Sequence, residues 1–117
     1  MPDTVTTIAE LQDAVRRFAA ERQWERFHTP KNLAMGLAVE TAELMEHFLW
    51  LDGEESRHAA DDPAKRQAIG EELADVANYV LNLSLVLGID LSDAIVAKIA
   101  KNALKYPAEQ YRGRWTT

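Results

Sequence analysis

The chain contains no cysteine, no long apolar run and no segment that predicts a β-strand. The absence of cysteine among the 117 residues excludes disulfides and thiolate metal sites. No apolar run approaches the roughly 18 residues that a membrane-spanning helix needs. The N-terminus also lacks the basic and then apolar pattern of a signal peptide. These absences lead us to expect a cytoplasmic protein that does not contact a membrane.

Positive charge is scarce as well. The formal net charge is −6 and the isoelectric point is about 5.0, so a protein that binds duplex nucleic acid through a basic face is disfavoured. A nucleotide remains an acceptable ligand, because a bound metal ion inverts the sign of a local site. The hydrophobic content of 47% is that of a globular protein, and the length suits a single domain over residues 1–117.

Four segments with apolar residues at helical spacing predict an all-α, four-helix bundle. Each follows a residue suited to cap a helix N-terminus, namely Thr7, Thr29, Asp62 and Asp90. The predicted helices cover about 8–23, 30–51, 63–87 and 91–105, within a helical core of about 7–107. Leu91, Ile95 and Ile99 are expected on the inner side of the last helix. Residues 52–62 are expected to form a polar surface loop, and 108–117 a C-terminal tail.

Two carboxylate pairs carry most of the functional information. Glu40 and Glu43 lie three residues apart, and so do Glu72 and Asp75 after 28 intervening residues. Residues three apart share one face of a helix, and both pairs lie beside the apolar stripe of their helix. Four acids at one helix–helix contact repel one another, and Mg²⁺ is a cation that takes such oxygen ligands. The sequence therefore predicts a magnesium site formed by the four acids.

Other interpretations of these acids remain open. Charged faces of helices are usually solvated, and each pair taken alone fits that description. Glu46 and Glu71 project away from the stripes and are expected to face solvent. A di-iron carboxylate bundle requires Glu-x-x-His on two helices. Here His47 follows Glu43 by four residues, which favours an edge or supporting position for this histidine.

Lysine and asparagine continue the apolar face of the last predicted helix. Lys98 and Lys105 are candidates to contact phosphate oxygens, and Asn102 is a candidate hydrogen-bond donor. The alternative is that these side chains extend their polar ends into solvent at the helix end.

Aromatic residues flank the two ends of the second predicted helix. Trp24, Phe27 and His28 precede it, and Trp50 lies near its end. Aromatic side chains at loop edges stack on nucleobases. The alternative is that they only pack the ends of the bundle.

These segments together resemble the MazG-type all-α nucleoside triphosphate pyrophosphohydrolases, and in particular their dCTP pyrophosphatase branch. The resemblance covers residues 7–107. Many MazG-type chains have two adjacent acids at the first motif, whereas Val39 precedes Glu40 here. The matching segments are Glu40-x-x-Glu43, Glu71-Glu72-Leu73-Ala74-Asp75-Val76, Phe18-Ala19-Ala20-Glu21-Arg22 with Trp24, Phe27-His28-x-Pro30-x-Asn32-Leu33, Glu43-Leu44 with Phe48-x-Trp50, and Lys98-x-x-x-Asn102 with Lys105-Tyr106-Pro107-Ala108.

The resemblance implies an enzyme that cleaves a nucleoside triphosphate, such as dCTP or a modified dCTP, into the monophosphate and pyrophosphate. It implies a homodimer or homotetramer with active sites at or near subunit contacts. It also implies a nucleotide-pool housecleaning role. The metal ligands implied are Glu40, Glu43, Glu72 and Asp75, and the base pocket implied consists of Trp24, His28 and Trp50. Tyr79, Lys98, Asn102 and Lys105 match positions near the sugar or the phosphates.

For the mechanism we expect a metal-assisted attack of water on the α-phosphorus. The four acids are the candidate catalytic residues, and Glu43 is a candidate to orient the water or take its proton. The two lysines would steady the departing pyrophosphate. A rival hypothesis from another class is a non-catalytic helical module that binds a nucleotide or a partner helix.

Overall fold

The regular structure of residues 1–114 is entirely helical. These are the residues that the computed structural model describes, and among them there is no β-strand. The all-α prediction is therefore confirmed. The six α-helices are α1 (Ile8–Glu21), α2 (Pro30–Glu46), α3 (Gly53–Arg57), α4 (Pro63–Leu87), α5 (Leu91–Lys105) and α6 (Ala108–Tyr111), with short 3₁₀ turns at Glu25–Phe27 and Ala59–Asp61.

The starts of the four long helices agree with their capping signals. The side chains of Thr7, Thr29, Asp62 and Asp90 each accept a hydrogen bond from a backbone N–H in the first turn. These bonds satisfy donors that have no partner within the helix. Gly88 ends α4 in the left-handed conformation, with φ of 65°. The bounds predicted for α4 and α5 are therefore confirmed.

The segment after α2 differs from the prediction. Helix α2 ends at Glu46, and residues 47–50 continue as turns instead of extending the helix to Leu51. Asp52 does not end a helix but begins α3, since its side chain accepts from Glu55 N at 2.8 Å while Glu55 accepts from Asp52 N at 3.1 Å. The expected loop over 52–62 is wrong for this reason, because reciprocal capping makes a short helix there.

Two smaller differences concern the end of α1 and the predicted C-terminal tail. Helix α1 ends at Glu21 and does not reach Gln23, which adopts a positive φ of 53°. The predicted tail contains α6, and the last part of that tail, 115–117, lies outside the described residues.

Helix α4 is the centre of the packed part of the chain, with α2 and α1 against it. Leu33 of α2 is the most deeply enclosed side chain, with 1% of its surface exposed. A polar contact also joins α1 to α4, where Gln12 Nε2 donates to the buried Ser84 Oγ at 2.9 Å. The other buried apolar residues are Ala19, Ala59, Ile69 and Leu81.

Helix α5 leaves this packed part at a sharp angle, bent by 102° from α4. Ile95 and Ile99, predicted to face inward, are 47% and 62% exposed, and Leu104 is 84% exposed. The predicted inner side of α5 is thus wrong for Ile95 and Ile99 in a single chain, because the turn after Gly88 directs the helix away from the core, whereas Leu91 at its start is half-buried. Within residues 1–114 no single helix is long and apolar enough to cross a membrane, although the bent α4–α5 pair reaches that length and composition.

Candidate functional site

Three carboxylates meet where α2 and α4 pack. Glu40 and Glu43 come from α2 and Glu72 comes from α4, and each offers an oxygen within 4.8 Å of the others. The three-residue spacing places the first two on one face of α2, turned towards α4. We call Glu40, Glu43 and Glu72 the acid cluster. Oxygen ligands at this separation suit a hard divalent cation.

Two oxygens of the acid cluster have no partner. Glu40 Oε2 and Glu72 Oε2 are closed off from solvent, and neither has a hydrogen-bond partner among residues 1–114. Such oxygens are costly to leave unsatisfied, above all when they are charged. A divalent cation would satisfy both, so the residues present fit a metal ion.

The electrostatics of Glu40 agree with this geometry. Its removal from solvent, the adjacent Glu43 carboxyl, and the charges of Asp75 and Glu72 raise the pKa of Glu40 to about 7. The same neighbours that make ionised Glu40 unfavourable attract a cation. A bound cation therefore relieves the repulsion at the α2–α4 contact.

Asp75 takes a different position from the one that the sequence predicted. It is exposed and is not a member of the three-oxygen group, although its charge acts on Glu40. Its side chain instead borders a cavity of about 370 Å³ beside the acid cluster. Asp75 therefore connects the acids to this cavity, and its role as a metal ligand stays a prediction.

Aromatic and amide side chains line this cavity, which lies between α1, α4 and the start of α2. Trp24, His28 and Tyr79 line it, so the structure brings three of the predicted substrate-binding residues together. Its volume lies within the usual range of small-molecule sites. Other lining residues include Val15, Phe18, Leu33, Asn78 and Asn82.

Phe18 is a cavity residue that the sequence analysis did not select as a site residue. Its ring meets that of Trp24 edge to face, with centroids 5.7 Å apart, and the Arg22 guanidinium lies 3.7 Å from the Phe18 centroid. These contacts hold Trp24 in place while it remains 44% exposed. Phe18 fits the apolar periodicity of α1, so nothing in its spacing separated it from a core residue.

Gly36 is a second residue that was not selected. A Cβ atom at this position would lie 2.4 Å from Tyr79 Cε1 and 2.6 Å from Tyr79 Cζ. Only glycine accommodates the ring at this approach, which is one turn from Glu40 on α2 and one turn from Asp75 on α4. The signal was an isolated glycine inside a helical pattern, which often marks close packing.

The remaining predicted substrate-binding residues are not at the cavity. Trp50 is 88% exposed, Lys98 and Lys105 are exposed, and Asn102 is half-buried on α5. Lys105 Nζ lies 5.3 Å from the ring of its neighbour Tyr106. One chain therefore does not bring these four residues to the cavity, and their roles stay predictions.

A larger depression of about 700 Å³ lies along the outer side of α1 and does not adjoin the acid cluster. Asp13 lines it and forms ion pairs with Arg16 and Arg17, which lower the pKa of this carboxyl. Asp13 and Arg17 thus neutralise each other there, and no member of the acid cluster lines this depression.

The protein is thus all-α, and carboxylates from two packed helices form a candidate divalent-cation centre near an aromatic cavity. The model of the MazG-like family matches residues 36–115. The chain belongs to the MazG-like family.

Named relatives cover most of the chain. dCTP pyrophosphatase 1 from Bos taurus is 38% identical over 107 residues, which are 92% of this chain and 63% of that protein. The Homo sapiens protein of the same name is 38% identical over 106 residues, 91% of this chain and 62% of its own length. This chain thus spans less than two thirds of these relatives. The crystal structure of a pyrophosphatase from Archaeoglobus fulgidus superposes with a TM-score of 0.76 at 39% identity, and the match covers 86% of this chain and 92% of that one.

Proposed function

We propose that this protein is a Mg²⁺-dependent nucleoside triphosphate pyrophosphohydrolase acting on dCTP or a modified dCTP. The products are the nucleoside monophosphate and pyrophosphate. The observation that carries the proposal is the acid cluster, in which two buried oxygens lack partners among residues 1–114. Asp75, whose charge acts on Glu40, connects this cluster to the aromatic cavity that it lines. The names of the relatives support the substrate class.

Glu40, Glu43 and Glu72 would hold the cation, with Asp75 approaching from the cavity side. When bound, the ion supplies charge neutralisation for the phosphate oxygens and a lower pKa for a water molecule. Glu43 is the exposed member of the acid cluster, so the carboxylate oxygen that does not hold the cation would orient the attacking water and accept its proton. Attack on the α-phosphorus then breaks the bond to the bridging oxygen and releases pyrophosphate.

The cavity would hold the nucleoside part of the substrate. Trp24 and His28 offer ring faces or edges to the base, and stacking is worth about 1–3 kcal/mol per base. Tyr79 lies one turn beyond Asp75 on α4, between the acids and the aromatic end. This order supports a role for Tyr79 at the sugar and for the acids at the triphosphate.

The active unit is proposed to be a homodimer or homotetramer of single-domain chains in the cytoplasm, where nucleotide pools are maintained. Helix α5 supports assembly, because its apolar Val96 and Leu104 are 67% and 84% exposed. A second copy would then deliver Lys98, Asn102 and Lys105 to the phosphates.

The test is pyrophosphate release from a panel of nucleoside triphosphates with and without Mg²⁺. We expect release from dCTP, loss of turnover in Glu40→Gln and in Asp75→Asn, and retained folding of both variants. Glu46→Gln is the matched control, since Glu46 is an exposed acid at the end of the same helix. No pyrophosphate from any nucleotide would favour a non-catalytic module, and wild-type rates in Glu40→Gln would refute the site.

A further inference from the structure

Asn82 is the polar residue of the cavity whose orientation the structure defines. Its Nδ2 donates to the backbone carbonyl of Asn78 at 3.0 Å, one turn earlier on α4. A carbonyl oxygen only accepts hydrogen bonds, so the amide nitrogen must face the helix and Oδ1 must face away from it. Oδ1 has no hydrogen-bond partner among residues 1–114 and is not closed off from solvent. Asn82, which lines the cavity, therefore carries an acceptor that is held in one orientation.

The position of Asn82 along α4 relates this acceptor to the acid cluster. Asp75, Tyr79 and Asn82 follow one another on one face, and all three line the cavity. Asn82 follows Asp75 by seven positions, which is about 10 Å along the helix axis. This is comparable to the length of a nucleoside with its first phosphate. If phosphates lie at Asp75, the edge of the base lies near Asn82.

We propose that Asn82 is a specificity-determining residue that selects a pyrimidine carrying an exocyclic amine. This inference rests on the proposed function, because it assumes that the cavity holds the nucleoside. The amine at position 4 of cytosine donates to Oδ1 of Asn82. The oxygen at the same position of uracil or thymine is an acceptor, and it would face the lone pairs of Oδ1.

The bond to Asn78 gives Asn82 its selectivity. A free asparagine amide rotates to offer either a donor or an acceptor, and it would accept both bases. Rotation here would break the 3.0 Å bond and place Oδ1 against the carbonyl oxygen of Asn78. Asn82 thus acts as an acceptor only, which favours the amino base.

The test measures binding of the product nucleotides dCMP and dUMP, which does not depend on turnover. Calorimetric titration of the full chain with Mg²⁺ should show tighter binding of dCMP. Asn82→Ala should lower the ratio of the two affinities by about two- to tenfold, the range for one hydrogen bond. Alanine is the best helix former, so α4 should remain intact. Asn82→Leu removes the acceptor while filling the space, and it should lower the ratio similarly.

Gln67→Ala is the control, since Gln67 is an exposed amide on the same helix whose Nε2 donates to Glu71 Oε1 at 3.4 Å. Its affinity ratio should equal that of the wild type. The proposal is overturned if both Asn82 variants keep the wild-type ratio, if the wild type binds dUMP as tightly as dCMP, or if it binds neither. An unchanged ratio with lower thermal stability would mean that Asn82 only supports the helix.

Pyrophosphate release from dCTP separates this inference from the proposed function. Selective binding of dCMP that Asn82→Ala abolishes, without any release, would refute the enzymatic proposal and support the role of Asn82. Pyrophosphate release from dCTP, together with an affinity ratio that the Asn82 variants leave unchanged, would support the enzymatic proposal and refute the role of Asn82.

Discussion

The α2–α4 contact and helix α5 are opposite cases within one chain. At the α2–α4 contact, the helices lie so close that a Cβ atom at Gly36 would overlap the Tyr79 ring, and the acid cluster consists of residues of one chain. Helix α5 instead carries Ile99 at 62% and Leu104 at 84% exposure. One chain therefore builds its own charged centre but leaves apolar surface uncovered.

The difference indicates where a partner chain is expected to bind. Complete burial of an isoleucine or leucine side chain is worth about 1.5–3 kcal/mol, so a row of exposed ones favours association. The acid cluster instead comes together within one chain. The predictions below test each region separately.

The largest effect is expected at the acid cluster, from a comparison of two adjacent residues. Glu72→Gln should lower Mg²⁺ affinity by at least about 100-fold, because it removes a ligand and not only a supporting group. Glu71→Gln should leave the affinity unchanged, since Glu71 is exposed and outside the cluster. Calorimetric titration with Mg²⁺ measures both. Equal affinities in the two variants would mean that the cluster does not bind the metal.

The next effect concerns α5. Ile99→Glu should convert an assembled protein to monomers, because it would bury a charge in the apolar contact. Lys101→Glu is the control for charge on the same helix, at an exposed polar position. Light scattering across a concentration series measures the mass. A wild type that is monomeric at all concentrations would contradict the proposed assembly.

A smaller effect is expected at the close approach of α2 and α4. Gly36→Val should lower the free energy of unfolding by about 1–3 kcal/mol, since the new side chain overlaps Tyr79. Gly70→Ala should instead raise it by up to about 1 kcal/mol, because a Cβ there meets nothing within 4 Å. Chemical denaturation gives both values. If Gly36→Val left the free energy of unfolding unchanged, the packing against Tyr79 would not require glycine at this position.

The smallest effect is the pH dependence of the metal-free protein. The pKa of Glu40 rises from an ordinary 4.5 to about 7 on folding, so the folded state holds its proton over that interval while the unfolded chain releases it. The contribution of Glu40 to the free energy of unfolding is fully present below pH 4.5 and is lost as the pH rises through 7.

Thermal unfolding with a chelator measures this dependence, and Glu40→Gln should remove its contribution. Saturating Mg²⁺ should stabilise the protein most at the alkaline end, where Glu40 is ionised. A melting temperature with the same pH profile in wild type and Glu40→Gln would contradict the raised pKa.

Capping and periodicity made the helices predictable. Asp62 with Pro63 at the start and Gly88 at the end defined α4, since these signals act within a few residues. The acid pairs followed from the same periodicity, because spacing along one helix is a local property. The end of α2 was missed because the backbone after Glu46 changes to bonds over three residues, such as Phe48 N to Met45 O at 2.9 Å, and no glycine or proline marks this change.

The candidate site was only partly predictable. Trp24 and His28 were predicted because both occur in one short connection between helices. Phe18 was not predicted, because its spacing along α1 is that of a core residue. The sequence placed four acids in the site, but the structure groups three and sets Asp75 at the cavity. Which oxygens meet depends on the rotation and separation of two helices, and no single helix contains that information.

Short-range interactions along the chain were thus enough to specify the helices, their caps and the pairing of acids on each face. The close approach of α2 and α4 and the cavity beside Asp75 arose only from packing between distant segments, whereas α5 departs at 102° at the turn after Gly88. The physical reason is the range of the forces, because hydrogen bonds of helices and caps join near neighbours in sequence, whereas burial and charge repulsion depend on which surfaces meet in space.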